Sequence, residues 1–146
     1  YKMLHLPDGL SQDSLHMLMT CEPQIKEIGD LISRTDVLLF GIGTAMRMAD
    51  QRHIADDVRK QLIDNHAVGE ALGQYCDIEG KLIYSTNNIG LSLPDVVKVP
   101  NVIAVAGGQE KASAIIGVMR ACRKGILIID EQAAEGMRQL LQISAL

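Results

Sequence analysis

Tryptophan is absent from the 146 residues, and aromatic residues make up only 3%, with one Phe and three Tyr. Stacking platforms for nucleobases or pyranose rings are therefore scarce, limited to Tyr1, Tyr75, Tyr84 and Phe40. Positive charge is short as well. Lys and Arg number 14 against 18 Asp and Glu, and the resulting formal charge of −4 argues against a nucleic-acid surface on this chain. Cys21, Cys76 and Cys122 are odd in number and widely spaced, with no CxxC, which fits reduced, buried thiols rather than a disulfide frame or a zinc site. His5, His16, His53 and His66 show no metal-ligand spacing, and no Ser or Cys sits in a nucleophile elbow. No run reaches the length of a membrane span and no signal-peptide pattern opens the chain. A cytoplasmic protein without cofactor, metal or membrane partner is the expectation.

Aliphatic mass fills the space that aromatics leave. Hydrophobic residues reach 47%, drawn from Ile, Leu, Val, Ala and seven Met, in a chain long enough for one domain with a real core. "YKMLHL" at the start reads as a strand-like run, followed by a turn at Pro7-Asp8-Gly9. Its abrupt opening suggests a fragment of a longer protein. Ser11 is placed to cap a short helix through about Met19, and Pro23 suits the first turn of a second, with Ile25, Ile28 and Ile32 at helical spacing.

Three apolar runs, "DVLLFG", "NVIAVA" and "GILIID", have the continuous character of strands covered on both faces of a parallel sheet. Helical patterns lie between and after them: "IADDVRKQLIDNH", "QEKASAIIGVMRAC" with Ala112, Ile115, Ile116 and Met119 on one face, and Glu131 to about Gln142 with Ala133, Met137, Leu140 and Leu141 inward. The segment from Ala67 reads as two extended stretches meeting at residues 77–80. Strands alternating with helices predict an α/β fold with a Rossmann-like parallel sheet and flanking helices.

In such a sheet, ligands bind at the carboxyl ends of strands, here at Gly41-Ile42-Gly43, at Gly107-Gly108 and at Asp130. Gly41-Ile42-Gly43 lacks a third glycine and disfavours a dinucleotide. The "GGQEK" turn is more pointed. Lys111 stands at the start of a helix, where the backbone already carries positive partial charge, and a bound anion would reverse that penalty. A phosphate gripped by Lys111, by backbone N–H groups of Gly107, Gly108 and Gln109, and by Arg47 and Arg52 on the loop after the first strand would fit this pattern. Glu70, in the apolar setting of "AVGEALG", suits sugar hydroxyls or general-base work. Each residue alone also has an ordinary reading: a sharp Gly-Gly turn, a solvated arginine, a salt-bridged carboxylate.

Taken together, "LLFGIG", "AVGEALGQYCDIEGKLI" and "PNVIAVAGGQEKASAIIGVMRACRKGILIIDEQAAEGMRQLL" resemble the effector domain of SorC/DeoR-type bacterial transcription regulators. The resemblance covers the chain from about Asp36 onward and is nearest to members that repress glycolytic genes. It implies a fold related to sugar-phosphate isomerases and deaminases. It also implies a phosphorylated-sugar effector, fructose 1,6-bisphosphate, with Lys111 on phosphate, Glu70 on sugar hydroxyls, Arg52 on the intervening loop and Arg47 beside it. Operator DNA would be reached through an amino-terminal helix-turn-helix absent from these residues. Residues 1–146 then correspond to the carboxyl-terminal part of one effector domain, without its Gly/Thr-rich phosphate loop. A homo-oligomer, dimer or tetramer, is expected, with the final helix and "NNIGLSLPDVV" as candidate contacts. The rival expectation is an isomerase, deaminase or lactonase of related fold using Glu70 or Asp130 as base, and a third is a purely structural assembly domain.

Overall fold

The computed structural model describes residues 1–6 and 9–142. Residues 1–6 form no regular element, so the strand expected there is not made, although Lys2 pairs with Glu27. Pro7 and Asp8 of the expected turn lie outside the described residues. Helix α1 (Gln12–Cys21) begins where Ser11 accepts the Ser14 N–H at 3.1 Å, and α2 (Pro23–Ser33) starts on its proline. Neither helix is deeply packed: only Leu15 is buried in α1, and no residue of α2 is.

Strand β1 (Val37–Gly41) then enters a three-stranded parallel sheet with β6 (Asn101–Ala106) and β7 (Ile126–Ile129), in the order β1-β6-β7. A short β2 (Gly43–Thr44) leaves that sheet and starts a second, antiparallel one with β3 (Gly69–Ala71), β4 (Gln74–Cys76) and β5 (Leu82–Ser85). The four other helices are α3 (Ala45–Gln51), α4 (Asp56–Asp64), α5 (Ala112–Cys122) and α6 (Glu131–Leu140). The antiparallel sheet is the main departure from the sequence reading, which saw two of its strands. Helix α3 is the other, since its residues were expected to be loop.

The parallel strands were expected to be covered on both faces, and one face is open. Inward-facing Phe40, Val102, Ala104 and Ala106 join Ile115, Val118 and Cys122 of α5 in the main core. On the opposite face Leu39 is 66% and Ile126 64% exposed, with Val37, Val105 and Ile128 beside them. Register aligns these side chains across neighbouring strands, Leu39 with Ile103 and Val105 with Ile128. They are apolar because a parallel sheet is built to be sandwiched, yet none of the described elements lies over them.

Helix α5 lies against the antiparallel sheet at close quarters, and two glycines permit it. A Cβ on Gly69 would stand 2.8 Å from the Ala114 carbonyl oxygen, and one on Gly117 would stand 2.4 Å from that of Asp77. Both obstacles are backbone, which cannot swing aside. Gly117→Ala is therefore expected to destabilise the fold by about 2 kcal/mol, although alanine is the better helix former. Chemical denaturation of the variant checks this, and an unchanged midpoint would contradict the packing.

Other expectations are corrected by burial. Leu140 and Leu141 are exposed rather than inward, whereas Leu93 and Val96 of "NNIGLSLPDVV" are fully buried in the main core and unavailable for contacts between subunits. Cys21 is exposed at the end of α1. Cys76 and Cys122 are buried, which raises their thiols to about 12 and about 11 and leaves them inert.

Candidate functional site

A cleft of roughly 480 Å³ opens at the carboxyl ends of β1 and β6, between α3 and the turn that precedes α5. Its floor is the chain from Phe40 to Thr44, where β1 hands over to β2. Gly43 lets α3 close on this floor, because a Cβ there would lie 2.4 Å from Met48 Cγ.

Helix α3 explains why the two arginines converge. Arg47 and Gln51 are one turn apart, as are Met48 and Arg52, so all four reach the same cleft from one helical face. Thr44 followed by "AMRMADQ" is a cap residue before strong helix formers, a signal in the sequence that marks this helix. Arg52 is its C-cap and turns towards Glu70, with Nη2 to Oε1 at 3.3 Å.

Glu70 is 3% exposed, one of two polar residues in the buried set. Its place in β3, opposite Gly43 and Tyr75, fixes its direction. Besides Arg52, Oε1 accepts the Gly73 N–H at 2.7 Å. Leu72 and Gly73 both take positive φ, 54° and 78°, in the tight β3–β4 turn. That turn is held again by Thr86 Oγ1 donating to the Gly73 carbonyl at 3.0 Å and by Asn88 Nδ2 donating to the Leu72 carbonyl at 3.0 Å. Oε2 accepts from no donor among the described residues and is left beside the cleft. Burial pushes the Glu70 carboxyl above its ordinary value, opposed by the Arg52 charge and the Gly73 N–H.

The facing wall comes from a 3-10 turn, Gln109–Lys111, that leads into α5. Lys111 is half-buried and lines the cleft with Glu110. Its ammonium has no ion pair or hydrogen bond among the described residues, and its one recorded electrostatic partner is the Asp130 carboxylate. Arg47 likewise has no ion-pair partner among them. Three cations and two carboxylates thus line one concavity.

Gly107, Gly108 and Gln109 are not in its wall. The Gly108 N–H, expected to face an anion, is taken by Asp130, at 3.1 Å from Oδ1 and 2.9 Å from Oδ2. Gln109 packs its Cγ and carbonyl against Gly136 of α6, on the other side of the turn. Asp130 also caps α6 by accepting the Ala133 N–H at 2.8 Å. These N–H groups of Ala133 and Gly108, helped by Lys111, hold its carboxyl below the ordinary range, so it is a structural anion. Among the described residues, no group of three His, Cys, Asp or Glu could hold a metal ion, and no helix is long and apolar enough to cross a membrane.

A parallel α/β sheet with a charged cleft at its strand ends defines a small-molecule-binding α/β domain. The chain belongs to the sugar-binding domain family, whose model matches residues 1–139. It is 36% identical over 135 residues to the central glycolytic genes regulator of Bacillus subtilis and 38% identical to that of Priestia megaterium, covering 92% of this chain in each case. The solved structure of a SorC family transcriptional regulator from Enterococcus faecalis superposes with a TM-score of 0.85 at 38% identity, over 94% of this chain. The full-length sorbitol operon regulator SorC from Klebsiella pneumoniae shares the fold at a TM-score of 0.73 and 24% identity, over 91% of this chain. The chain spans 39% of the length of the two glycolytic regulators, 56% of the Enterococcus chain and 44% of the Klebsiella one.

Proposed function

We propose that this chain is part of the effector domain of a repressor of glycolytic genes, and that its cleft holds a phosphorylated sugar, fructose 1,6-bisphosphate, without transforming it. The observation that carries this reading is the pairing, across one cleft, of a half-buried Lys111 ammonium that makes no ion pair or hydrogen bond among the described residues with the Glu70 Oε2, which accepts from no donor among them. A phosphate takes the first and sugar hydroxyls the second, each by a charge-assisted hydrogen bond. Arg52 and Arg47 add guanidinium donors suited to phosphate, while Gly107, Gly108 and Gln109 act as the braced loop that positions Lys111. The two relatives named central glycolytic genes regulator support the regulatory reading.

Catalysis is disfavoured by the chemistry of the candidates. Asp130 is committed to two backbone N–H contacts, and Glu70 stands next to no second titratable group with an opposite role. Binding would act on transcription by favouring one conformational or oligomeric state of a homo-oligomeric regulator, dimer or tetramer, that carries its helix-turn-helix elsewhere in the chain.

Calorimetric titration of fructose 1,6-bisphosphate into the protein, run beside assays for product, tests the reading. Saturable heat without turnover is the expected result. Steady product formation would transfer the cleft to the isomerase, deaminase or lactonase reading, and the absence of any heat would reject the ligand.

A further inference from the structure

A groove of roughly 630 Å³ lies at the opposite end of α5 from the cleft and shares no lining residue with it. It is bounded by the end of α5, the turn between β4 and β5, and the 3-10 turn Pro94–Lys98. Its lining holds three cations, Lys81, Arg120 and Arg123, against one carboxylate, Glu79, in a chain whose formal charge is −4. We propose that this groove binds a small, multiply charged anion, bearing phosphate or carboxylate groups, separately from the ligand of the cleft.

Close packing between two elements far apart in sequence brings the cations together. Gly80 sits in the β4–β5 turn at φ 82°, and a Cβ there would stand 2.6 Å from the Ala121 amide nitrogen and 2.8 Å from the Arg120 carbonyl carbon. The turn therefore lies directly against the helix end, which carries Lys81 to the side of Arg120 and Arg123. Asp77 Oδ1 pins the turn by accepting the Glu79 N–H at 3.0 Å and the Lys81 N–H at 2.9 Å. Arg120 is fixed over it, with Nη1 donating to the Ile78 carbonyl at 2.9 Å and meeting Glu79 Oε1 at 3.2 Å. The one carboxylate of the lining is thereby engaged.

Lys81 and Arg123 are exposed, and their side chains make no ion pair or hydrogen bond among the described residues. Arg123 ends α5 at φ 57°, a left-handed position that glycine ordinarily takes. Lys124 Nζ donates to the Val97 carbonyl at 3.2 Å and to the Val99 carbonyl, so acceptors on the wall that Val97 forms are already taken.

Cations at a helix C-terminus are ordinarily explained by the macrodipole, which amounts to about half a negative charge there. That balances part of one arginine and leaves the rest, and Lys81 comes from another element altogether. Like charges gathered in one concavity repel until an anion joins them. A neutral ligand gains nothing from this lining. An anion with two or more charges meets an ammonium and a guanidinium that are both free to bind it.

Proton–nitrogen NMR titrations with sodium pyrophosphate and with sodium citrate, at fixed ionic strength against sodium chloride, read the site directly. Saturable shifts are expected at backbone amides of residues 79–81 and 120–124 with at least one of the two anions, and none with chloride. Pyrophosphate alone would define a phosphate site, and citrate alone a carboxylate site. Arg123→Gly removes the guanidinium where the backbone already suits glycine, and Lys81→Gln removes the ammonium. Each should weaken the affinity about tenfold, the effect of one charged hydrogen bond, without lowering the melting temperature. Lys111→Ala should leave these shifts in place. The proposal is overturned if neither anion saturates here, the mark of an adventitious ion only. It is equally overturned if the shifts fall only around Lys111 and Glu70, or if both groove variants bind like the parent. None of these outcomes depends on whether fructose 1,6-bisphosphate occupies the cleft.

Discussion

Lys111→Ala is expected to weaken fructose 1,6-bisphosphate binding about ten- to a hundredfold, the value of one hydrogen bond between charged groups. The melting temperature without ligand should stay within about a degree, because the ammonium makes no ion pair or hydrogen bond among the described residues whose loss would be felt. Its removal even relieves a small conflict, since a cation at the start of α5 opposes the helix dipole. Calorimetry and thermal melts on the same preparation read both quantities. Equal affinity in the variant, or a large loss of stability, would assign the lysine to the fold and not to the ligand.

Arg52→Ala is expected to act on binding and stability together. Removing the guanidinium leaves Glu70 buried with the Gly73 N–H as its remaining support. The cost at neutral pH is about 2 kcal/mol, discounted from that of a fully buried pair because the arginine is partly exposed. That corresponds to a fall of roughly 5 °C in melting temperature. The sign with pH follows from the direction of the Glu70 shift. Its carboxyl is raised in the folded state above the ordinary 4.5, so between the unfolded and folded values the folded protein holds more protons than the unfolded one. Stability is then greatest below the unfolded value and declines as pH rises through the folded one. Without Arg52 the Glu70 carboxyl rises further, and the decline reaches to higher pH. The deficit of the variant should therefore be smaller at pH 5 than at pH 7.5. A deficit that is flat with pH would show that the arginine does not set the Glu70 charge.

The strands of the parallel sheet and helices α4, α5 and α6 were readable from apolar runs and periodicity, because these segments bury one face or one stripe. Helix α1 was marked by its Ser11 cap and α2 by Pro23 and its isoleucine spacing, although no residue of α2 is buried. The antiparallel sheet was less legible. Strands β2 and β3 are two and three residues long, too short for alternation to register; Gly43 read as part of a tight exit from β1, and β3 merged with β4 into one extended stretch. Gly43 and Gly69 are glycine because Met48 and Ala114 crowd against them, which is a tertiary fact. Helix α3 was missed for the same reason that its arginines were placed on a loop: seven residues after a glycine-rich exit are scarcely two turns. The open face of Leu39, Val105 and Ile126 was equally invisible, since apolar strand residues look alike whether or not something lies over them.

Of the candidate residues, Lys111, Glu70, Arg52 and Arg47 come to one cleft, the first two flagged by a charge in an unfavourable or apolar setting and the arginines by their place after β1. The neighbouring Gly107, Gly108 and Gln109 do not line it. The sequence showed two adjacent glycines before a helix but not that the Asp130 carboxylate, from the next strand's end, would fill the anion position first. Glu110 and Gln51 were passed over because exposed polar residues at helix ends carry no distinguishing pattern.

A crystal structure of the protein soaked with fructose 1,6-bisphosphate addresses the assignment of the cleft most directly. A phosphate within hydrogen-bond distance of Lys111 Nζ, with a sugar hydroxyl on Glu70 Oε2, is the predicted arrangement. A bisphosphate bound elsewhere, with the Lys111 ammonium facing bulk water, would contradict it.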